Sequence, residues 1–420
     1  MASMLRELCH RVIRIVNPTK SLLQTVSTRG LDVWARGRYS IDIRVGPGTR
    51  EIDQLRVANG GQLNFRILVP SVSALLAKDA VQRTPPPSRR PRPGMMAAPD
   101  PPIPIDLSFF ADYRTYPQIV EYLQAKCAEF PNICEFVPSI GGQSVEGRDI
   151  ASVRIGTSLG SANNTKPQAL VQALMHGREW ASGTTALYLL HRLLEQSRTS
   201  PLVQQLLGQV DIHFIPVLNP DGYMYSHTTN RLWRKNRRRH GLLDTFGVDL
   251  NRNFPHRWAS PNGGASLNPS DETYRGPRPA SEPDVKAVID YVSKEMPRMI
   301  AALDLHAFSE MIMRPWGDTP DQTPHEEQYK QVTERMAQAV NRVHGQDFLA
   351  IKSVDLVDGS TGTANVRPYS VAIELRPNPE TENGQFGFML PASQIIPTGE
   401  EIFGAFLLYV RNAIANPLRA

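Results

Sequence analysis

Residues 169–176 read ALVQALMH, a run without charge that stops at a histidine. The stretch 299–308, MIAALDLHAF, is likewise largely apolar and again reaches a histidine near its end. A strand with one wet face alternates polar and apolar residues, so a run that is apolar on both parities must be covered on both sides. Helix-length patterns separate these runs: TTALYLLHRLLEQ at 184–196, SEPDVKAVIDYVSKEM at 281–296 and QYKQVTERMAQAVNRVHG at 328–345. A further strand, SVAIELRP, follows at 370–377. This order predicts an α/β domain from residue 108 onward: a twisted mixed sheet with helices on both faces. YPQIVEYLQAKCAEF reads as an amphipathic helix, VDIHFIPVLNPDG as a strand ending in a turn, and Ser281 with Pro283 as a helix start.

The chain ahead of this domain is different. HRVIRIV, SIDIRV and LNFRILV are short strand patterns and SVSALLAKDA is helical, which together make a small α+β unit. Residues 84–107, TPPPSRRPRPGMMAAPDPPIPIDL, can sustain neither helix nor sheet. The stretch is expected to be an extended, solvated connector, with Arg89, Arg90 and Arg92 open to a trypsin-like protease. The division is therefore 1–83, 84–107 and 108–420. Composition alone makes 84–107 an ordinary linker.

Charge excludes little. The net charge is +5, and basicity of that size does not point to nucleic acid. The densest cationic stretch, RLWRKNRRRH at 231–240, has a single aromatic and no binding module around it, so a solvated loop is expected and no nucleic-acid partner. No apolar run reaches membrane-spanning length and no membrane partner is expected. The N-terminus lacks the apolar core of a signal peptide. Of the three cysteines, Cys127 and Cys134 are either a pair or two buried thiols.

Several residues carry chemistry. His176, Glu179 and His306 stand at the ends of apolar strands, where open α/β sheets bind ligands. Two imidazoles and a carboxylate can hold zinc with one position open. Histidines at strand ends are also commonly satisfied structural residues, so both readings stand. Asn251 and Arg252, side by side in GVDLNRNF, suit a grip on a carboxylate. Glu374 lies in an apolar strand, either as a general base with a raised pKa or as the buried partner of Arg376.

Taken together, MHGREWAS, NPDGYMYSHTTNRLWRKNRR, GVDLNRNF, LDLHAFSEMIMRPWG, IELRP and GFMLPASQIIPTGEE resemble the zinc metallocarboxypeptidases of the pancreatic carboxypeptidase A/B type over residues 108–412. The N-terminal unit resembles the family's inhibitory pro-segment at LDVW, SIDIRV and ILVPSVSALL. The resemblance implies one zinc ion held by His176, Glu179 and His306. It makes Glu374 the general base and acid and Arg234 the group that polarises the scissile carbonyl. Arg178 becomes a substrate-side arginine, and Asn251 with Arg252 the holder of the terminal carboxylate. Ala307, Phe308, Met313, Ala364 and Ala372 fall on substrate-binding positions, with Gly317 beside them. None is acidic, which favours an apolar or aromatic C-terminal side chain, although Asp358 lies close by. Peptide or protein C-termini are the implied substrates, an activating protease the implied partner at the linker, and export from the cell the implied location. Oligomeric state is left open.

The chain also departs from the family's pattern. Val357 stands where the family carries a tyrosine on a mobile loop, and the segment between Ala364 and Tyr369 is short. Ala307 replaces a serine, and Thr245 and Ser270 stand where the family has a disulfide. Two functions are therefore weighed: an active zinc carboxypeptidase made as a zymogen, and a catalytically impaired relative that binds peptide C-termini. The presence of Glu374 favours the first.

Overall fold

The computed structural model describes residues 10–29, 31–37, 40–46, 49–82, 106–161, 163–241, 245–258, 264–356, 369–381, 384 and 386–418. The Pro/Arg-rich stretch up to residue 105 lies outside them, with its three arginines, and so do Val357, Asp358 and Ala364.

The N-terminal unit runs β1 (Arg11–Val16), α1 (Lys20–Thr28), β2 (Val33–Gly37), β3 (Ser40–Val45), α2 (Arg50–Ala58), β4 (Phe65–Val69) and α3 (Val72–Gln82). Its antiparallel sheet has the order β2-β3-β1-β4. Residues i and i+2 of a strand share a face, and β1 uses both of its faces. Ile13 and Ile15 join Leu22, Val26, Ile52 and Leu55 in a core under α1 and α2. Val12 looks the other way, and with Trp34, Ala35, Val69 and Val72 it belongs to the core of the large domain. The two units thus share buried apolar surface.

The large domain begins with α4 (Tyr116–Glu129), β5 (Cys134–Val137), β6 (Ser152–Ile155), β7 (Gln168–Ala173), α5 (Trp180–Gln196), α6 (Pro201–Gln209) and β8 (Asp211–Ile215). There follow α7 (Pro220–Thr228), the short hairpin β9 (Arg239–His240) and β10 (Thr245–Phe246), α8 (Pro283–Glu295), β11 (Met299–Ala307) and β12 (Met311–Arg314). The last elements are α9 (Glu326–His344), β13 (Leu349–Lys352), β14 (Tyr369–Leu375) and α10 (Ile395–Ala415). The main sheet has the order β13-β12-β14-β11-β7-β8-β6-β5. Its centre, β14-β11-β7-β8, is parallel, while β12 against β14 and β6 against β8 and β5 are antiparallel.

Both faces of the centre are covered, as the apolar runs require. Ala169, Val171 and Ala173 of β7 pack into the core that contains α5, α9 and α10. Leu170, on the opposite parity, packs with Val285, Val288 and Tyr291 of α8. Cys127 and Cys134 form a disulfide between the end of α4 and the start of β5. Among the described residues, no helix is long and apolar enough to cross a membrane.

Local expectations are corrected in two places. Asn219-Pro220 does not end a strand in a turn; it starts α7, with the Asn219 side chain accepting a hydrogen bond from the Gly222 amide. The residue at the start of α8 is Glu282, one place after the expected Ser281; its side chain makes no capping hydrogen bond, and Pro283 takes the first helical position. Both helices open on a proline, whose missing amide would have no partner in the first turn, and only α7 adds a side-chain cap.

Candidate metal centre and active site

His176 follows the C-terminal end of β7, and Glu179 is the residue immediately before α5. The turn between them is closed by the Glu179 amide donating to the His176 carbonyl at 3.2 Å. His306 is the penultimate residue of β11, the strand beside β7. The sheet therefore brings the three side chains together, each 2–3% exposed, with one ligand atom from each lying within 4.8 Å of the others. Glu179 serves both rings: Oε1 is 2.6 Å from His176 Nδ1 and Oε2 is 3.0 Å from His306 Nδ1. The Ala307 amide also donates to Oε2, at 3.3 Å. Burial would raise the Glu179 carboxyl, but His176 and His306 hold it far below its ordinary value. Burial would lower the His306 imidazole, but Asp304 and Glu179 hold it well above its ordinary value.

These residues fit a bound cation. The two Nδ1 atoms face each other at 3.2 Å, while each Nε2 points away to a carboxylate. His176 Nε2 is 3.2 Å from Asp249 Oδ1, and His306 Nε2 is 3.2 Å from Asp304 Oδ2. A carboxylate behind an imidazole fixes the tautomer that leaves the opposite nitrogen free to bind metal. Two nitrogens and a carboxylate are a donor set suited to zinc.

Asp249 and Asp304 are not among the residues expected from the sequence. Asp249 accepts from Arg234 Nη2 at 2.9 Å and from the Asn251 amide at 3.0 Å, and so ties His176, Arg234 and the Asn251-Arg252 turn into one group. Arg234 Nη1 in turn lies 3.3 Å from His176 Nδ1. Arg252 is 3% exposed and sits with Asn251 in a turn of 3₁₀ helix, Leu250–Arg252. The signal for both acids was present: Asp304 stands two places before His306 in an apolar strand, and Asp249 two places before Asn251 in an apolar run.

Glu374 pairs in register with His306 across the parallel β11 and β14. Its Oε2 is buried and has no hydrogen-bond partner among the described residues. Burial and the nearby Glu179 push its carboxyl up to about 8, against the pull of His306 and Arg234. Arg376 is not its partner: that guanidinium donates to Glu401 at 2.8 Å and also bonds Gln394. Of the remaining expected positions, Met313 and Ala372 are cross-strand neighbours in a small apolar cluster with Met311 and Ile351. Phe308 is 3% exposed and meets Phe388 edge-on at 5.0 Å.

Arg178 is turned toward the N-terminal unit. Its Nη1 is 2.8 Å from Asp32 Oδ1, and its guanidinium lies over the Phe388 ring at 4.1 Å. Trp34 stands against the same ring, at 5.6 Å. The stretch 231–240, expected as a solvated loop, is largely folded into the domain. Arg231 stacks on Trp180 at 3.7 Å, Lys235 Nζ donates to the carbonyls of Pro269 and Asp271, and Arg237 is enclosed by Tyr225, Trp233 and Phe246.

Comparison with known proteins agrees with this geometry. The family described as zinc carboxypeptidase (peptidase M14) matches residues 119–405. The chain is 29% identical over 424 residues to carboxypeptidase A1 of Mus musculus, covering 97% of this chain and 94% of that one. It is 33% identical over 299 residues to carboxypeptidase A2 of the same organism, covering 70% and 68%. Among solved structures, carboxypeptidase A from Helicoverpa armigera superposes with a TM-score of 0.81 at 26% identity, covering 98% of each chain. Thrombin activatable fibrinolysis inhibitor shares the fold, with a TM-score of 0.77 at 23% identity over 97% of this chain and 99% of that one.

Proposed function

The chain belongs to the zinc carboxypeptidase family of peptide hydrolases, and from that premise we propose that it is made as a zymogen and removes apolar or aromatic residues from peptide and protein C-termini. The observation that carries the catalytic part is the position of Glu374. A carboxylate with an unpartnered oxygen stands one strand from His306, its basicity raised by burial.

In this reading His176, Glu179 and His306 hold the one zinc ion. When bound, zinc acts as a Lewis acid toward the scissile carbonyl and makes water a better nucleophile. Glu374 takes a proton from the attacking water and delivers it to the leaving nitrogen as the C–N bond breaks. Arg234, anchored by Asp249 and adjacent to His176, directs positive charge at the carbonyl oxygen as negative charge develops there. Asn251 and Arg252 grip the free carboxylate, which limits cleavage to the last peptide bond. The apolar preference is supported by the Met311, Met313, Ile351 and Ala372 cluster, which stands apart from the main core.

The zymogen reading is supported by the hold of Asp32 on Arg178 and by the apolar surface the two units share. An activating protease would cut the connector at 84–107, where Arg89, Arg90 and Arg92 stand. We place the protein outside the cell. The Cys127–Cys134 disulfide supports this, since such bonds persist in oxidising compartments.

The test is to cut the connector with trypsin and follow release of C-terminal Phe, Leu and Lys from blocked dipeptides, with and without a chelator. Release of Phe and Leu that the chelator abolishes is expected, with little release from the uncut chain. Glu374→Gln should lose release while keeping one zinc per chain. Chelator-insensitive release, or none, overturns the catalytic reading.

A further inference from the structure

The two histidines of the centre are backed by carboxylates of very different standing. Asp249, behind His176, has its charge met by Arg234 and by the Asn251 amide. Asp304, behind His306, has no such company. It is 4% exposed, and its Oδ1 is buried without a hydrogen-bond partner among the described residues. Its one ion-pair partner among those residues is His306, with Nε2 at 3.2 Å from Oδ2. Its register neighbours on either side are Gln172 of β7 and Ala372 of β14, and neither carries charge.

A buried carboxylate without a cation is strongly disfavoured relative to one that is paired. Strand geometry makes the arrangement specific, since residues 304 and 306 lie two apart on one face of β11 and the acid stands directly behind the ring. A carboxylate 3.2 Å from Nε2 favours the tautomer that presents Nδ1 to a metal and makes that nitrogen a better donor. The charge of Asp304 is then compensated through the ring, by whatever the ring holds.

We propose that Asp304 is a positioning residue of the metal centre: it orients His306 through Nε2 and couples zinc binding to the stability of the buried strand end. The inference rests on His306 being a zinc ligand. It gives each of the two histidines its own carboxylate, Asp249 behind His176 and Asp304 behind His306, and it assigns Asp304 to the metal and away from the neighbouring apolar cluster at Ala372 and Met313.

The experiment compares the full-length wild type with Asp304→Asn, Asp304→Ala and His306→Ala. Zinc affinity is measured by competition with a chelator, and thermal unfolding is followed in zinc-loaded and zinc-free protein. The Asp304 variants should hold zinc about 10–100-fold more weakly, with Asn less affected than Ala because it keeps an acceptor oxygen. Asp304→Asn should lower the melting temperature more in the zinc-loaded protein than in the zinc-free protein, since only the loaded form uses the ring orientation that Asp304 supports. Unchanged zinc affinity overturns the inference. So does an equal fall in melting temperature with and without zinc, which marks a purely structural role. A weakened KM for Lys-terminated substrates at unchanged zinc affinity also overturns it, because Asp304 would then belong to the pocket. If His306→Ala keeps its zinc, the ligand assignment itself fails, which is a separate result.

Discussion

Asp32 of the N-terminal unit and Arg178 of the large domain lie 2.8 Å apart, and the arginine is almost fully buried. A group proposed to face substrate is thus already paired with an acid from the same chain. Burial would raise the Asp32 carboxyl, but Arg178 and Arg44 hold it below its ordinary value.

Asp32→Ala should therefore raise the activity of the uncut chain severalfold, measured as Phe release from a blocked dipeptide before any protease is added. Because the folded-state pKa is lowered, the contact is complete above the ordinary carboxylate range and is lost only as pH falls below it. Docking of the N-terminal unit should be insensitive to pH from about 5 to 8 and weaken in stronger acid. An uncut Asp32→Ala chain as silent as the wild type would show that this pair does not restrain activity.

A second contact between the units centres on Glu380. Arg14, bidentate to Asp42 within its own sheet, also donates to Glu380 Oε2 at 2.7 Å, and Ser40 donates to Oε1 at 2.7 Å. The Glu380 side chain is half exposed, so the loss on mutation is modest, about 1 kcal/mol. Glu380→Gln should shorten the time the cut N-terminal unit stays bound by roughly fivefold, read as the lag before full activity after trypsin is added.

Asp249 is fully buried between His176 and Arg234. Asp249→Asn takes away the nearer carboxylate of Arg234 and leaves only Glu179 Oε1 at 3.7 Å, and breaking a buried pair costs up to about 3–5 kcal/mol. Both denaturant stability and kcat should fall. Stability equal to the wild type would mean that Arg234 finds another acceptor.

Asp284 offers a test of pH dependence away from the metal. Burial, reinforced by the nearby carboxylates of Asp221 and Glu282, pushes its carboxyl up to about 7, and neither of its oxygens has a hydrogen-bond partner among the described residues. A raised folded-state pKa means that the native state binds the proton more tightly than the unfolded chain. Stability is then present at low pH and is lost as pH rises from about 4 through 7. Asp284→Asn should remove that loss, so that melting temperatures at pH 5 and pH 8 lie closer together than in the wild type. An unchanged difference would place the titration elsewhere.

The large-scale fold was legible because burial on two faces writes itself into composition. Ala169 to Ala173 can only be a covered strand, and the helices between such strands follow. The centre was legible where chemistry needs a rare residue at a strand end, as at His176 and His306. What could not be read was pairing across the fold. Asp304 looks like any acid in a strand until its parity with His306 is set beside its lack of another partner. Lys235 and Arg237 read as solvated charges because sequence does not show which carbonyls or rings will surround them. The Asp32–Arg178 contact joins residues 146 apart in sequence, and no local pattern carries that information.

Glu374 is fixed from both sides, since β14 is hydrogen-bonded to β11 on one edge and to β12 on the other. The chain that enters this strand at Tyr369 can therefore be lengthened, shortened or rewritten without moving Glu374. Under the proposed function, the segment before Tyr369 would select which side chains are admitted, while the sheet would hold the position of Glu374. For protein engineering, this makes selectivity and chemistry separable: a loop grafted ahead of β14 is a route to new substrates that leaves the reaction centre untouched.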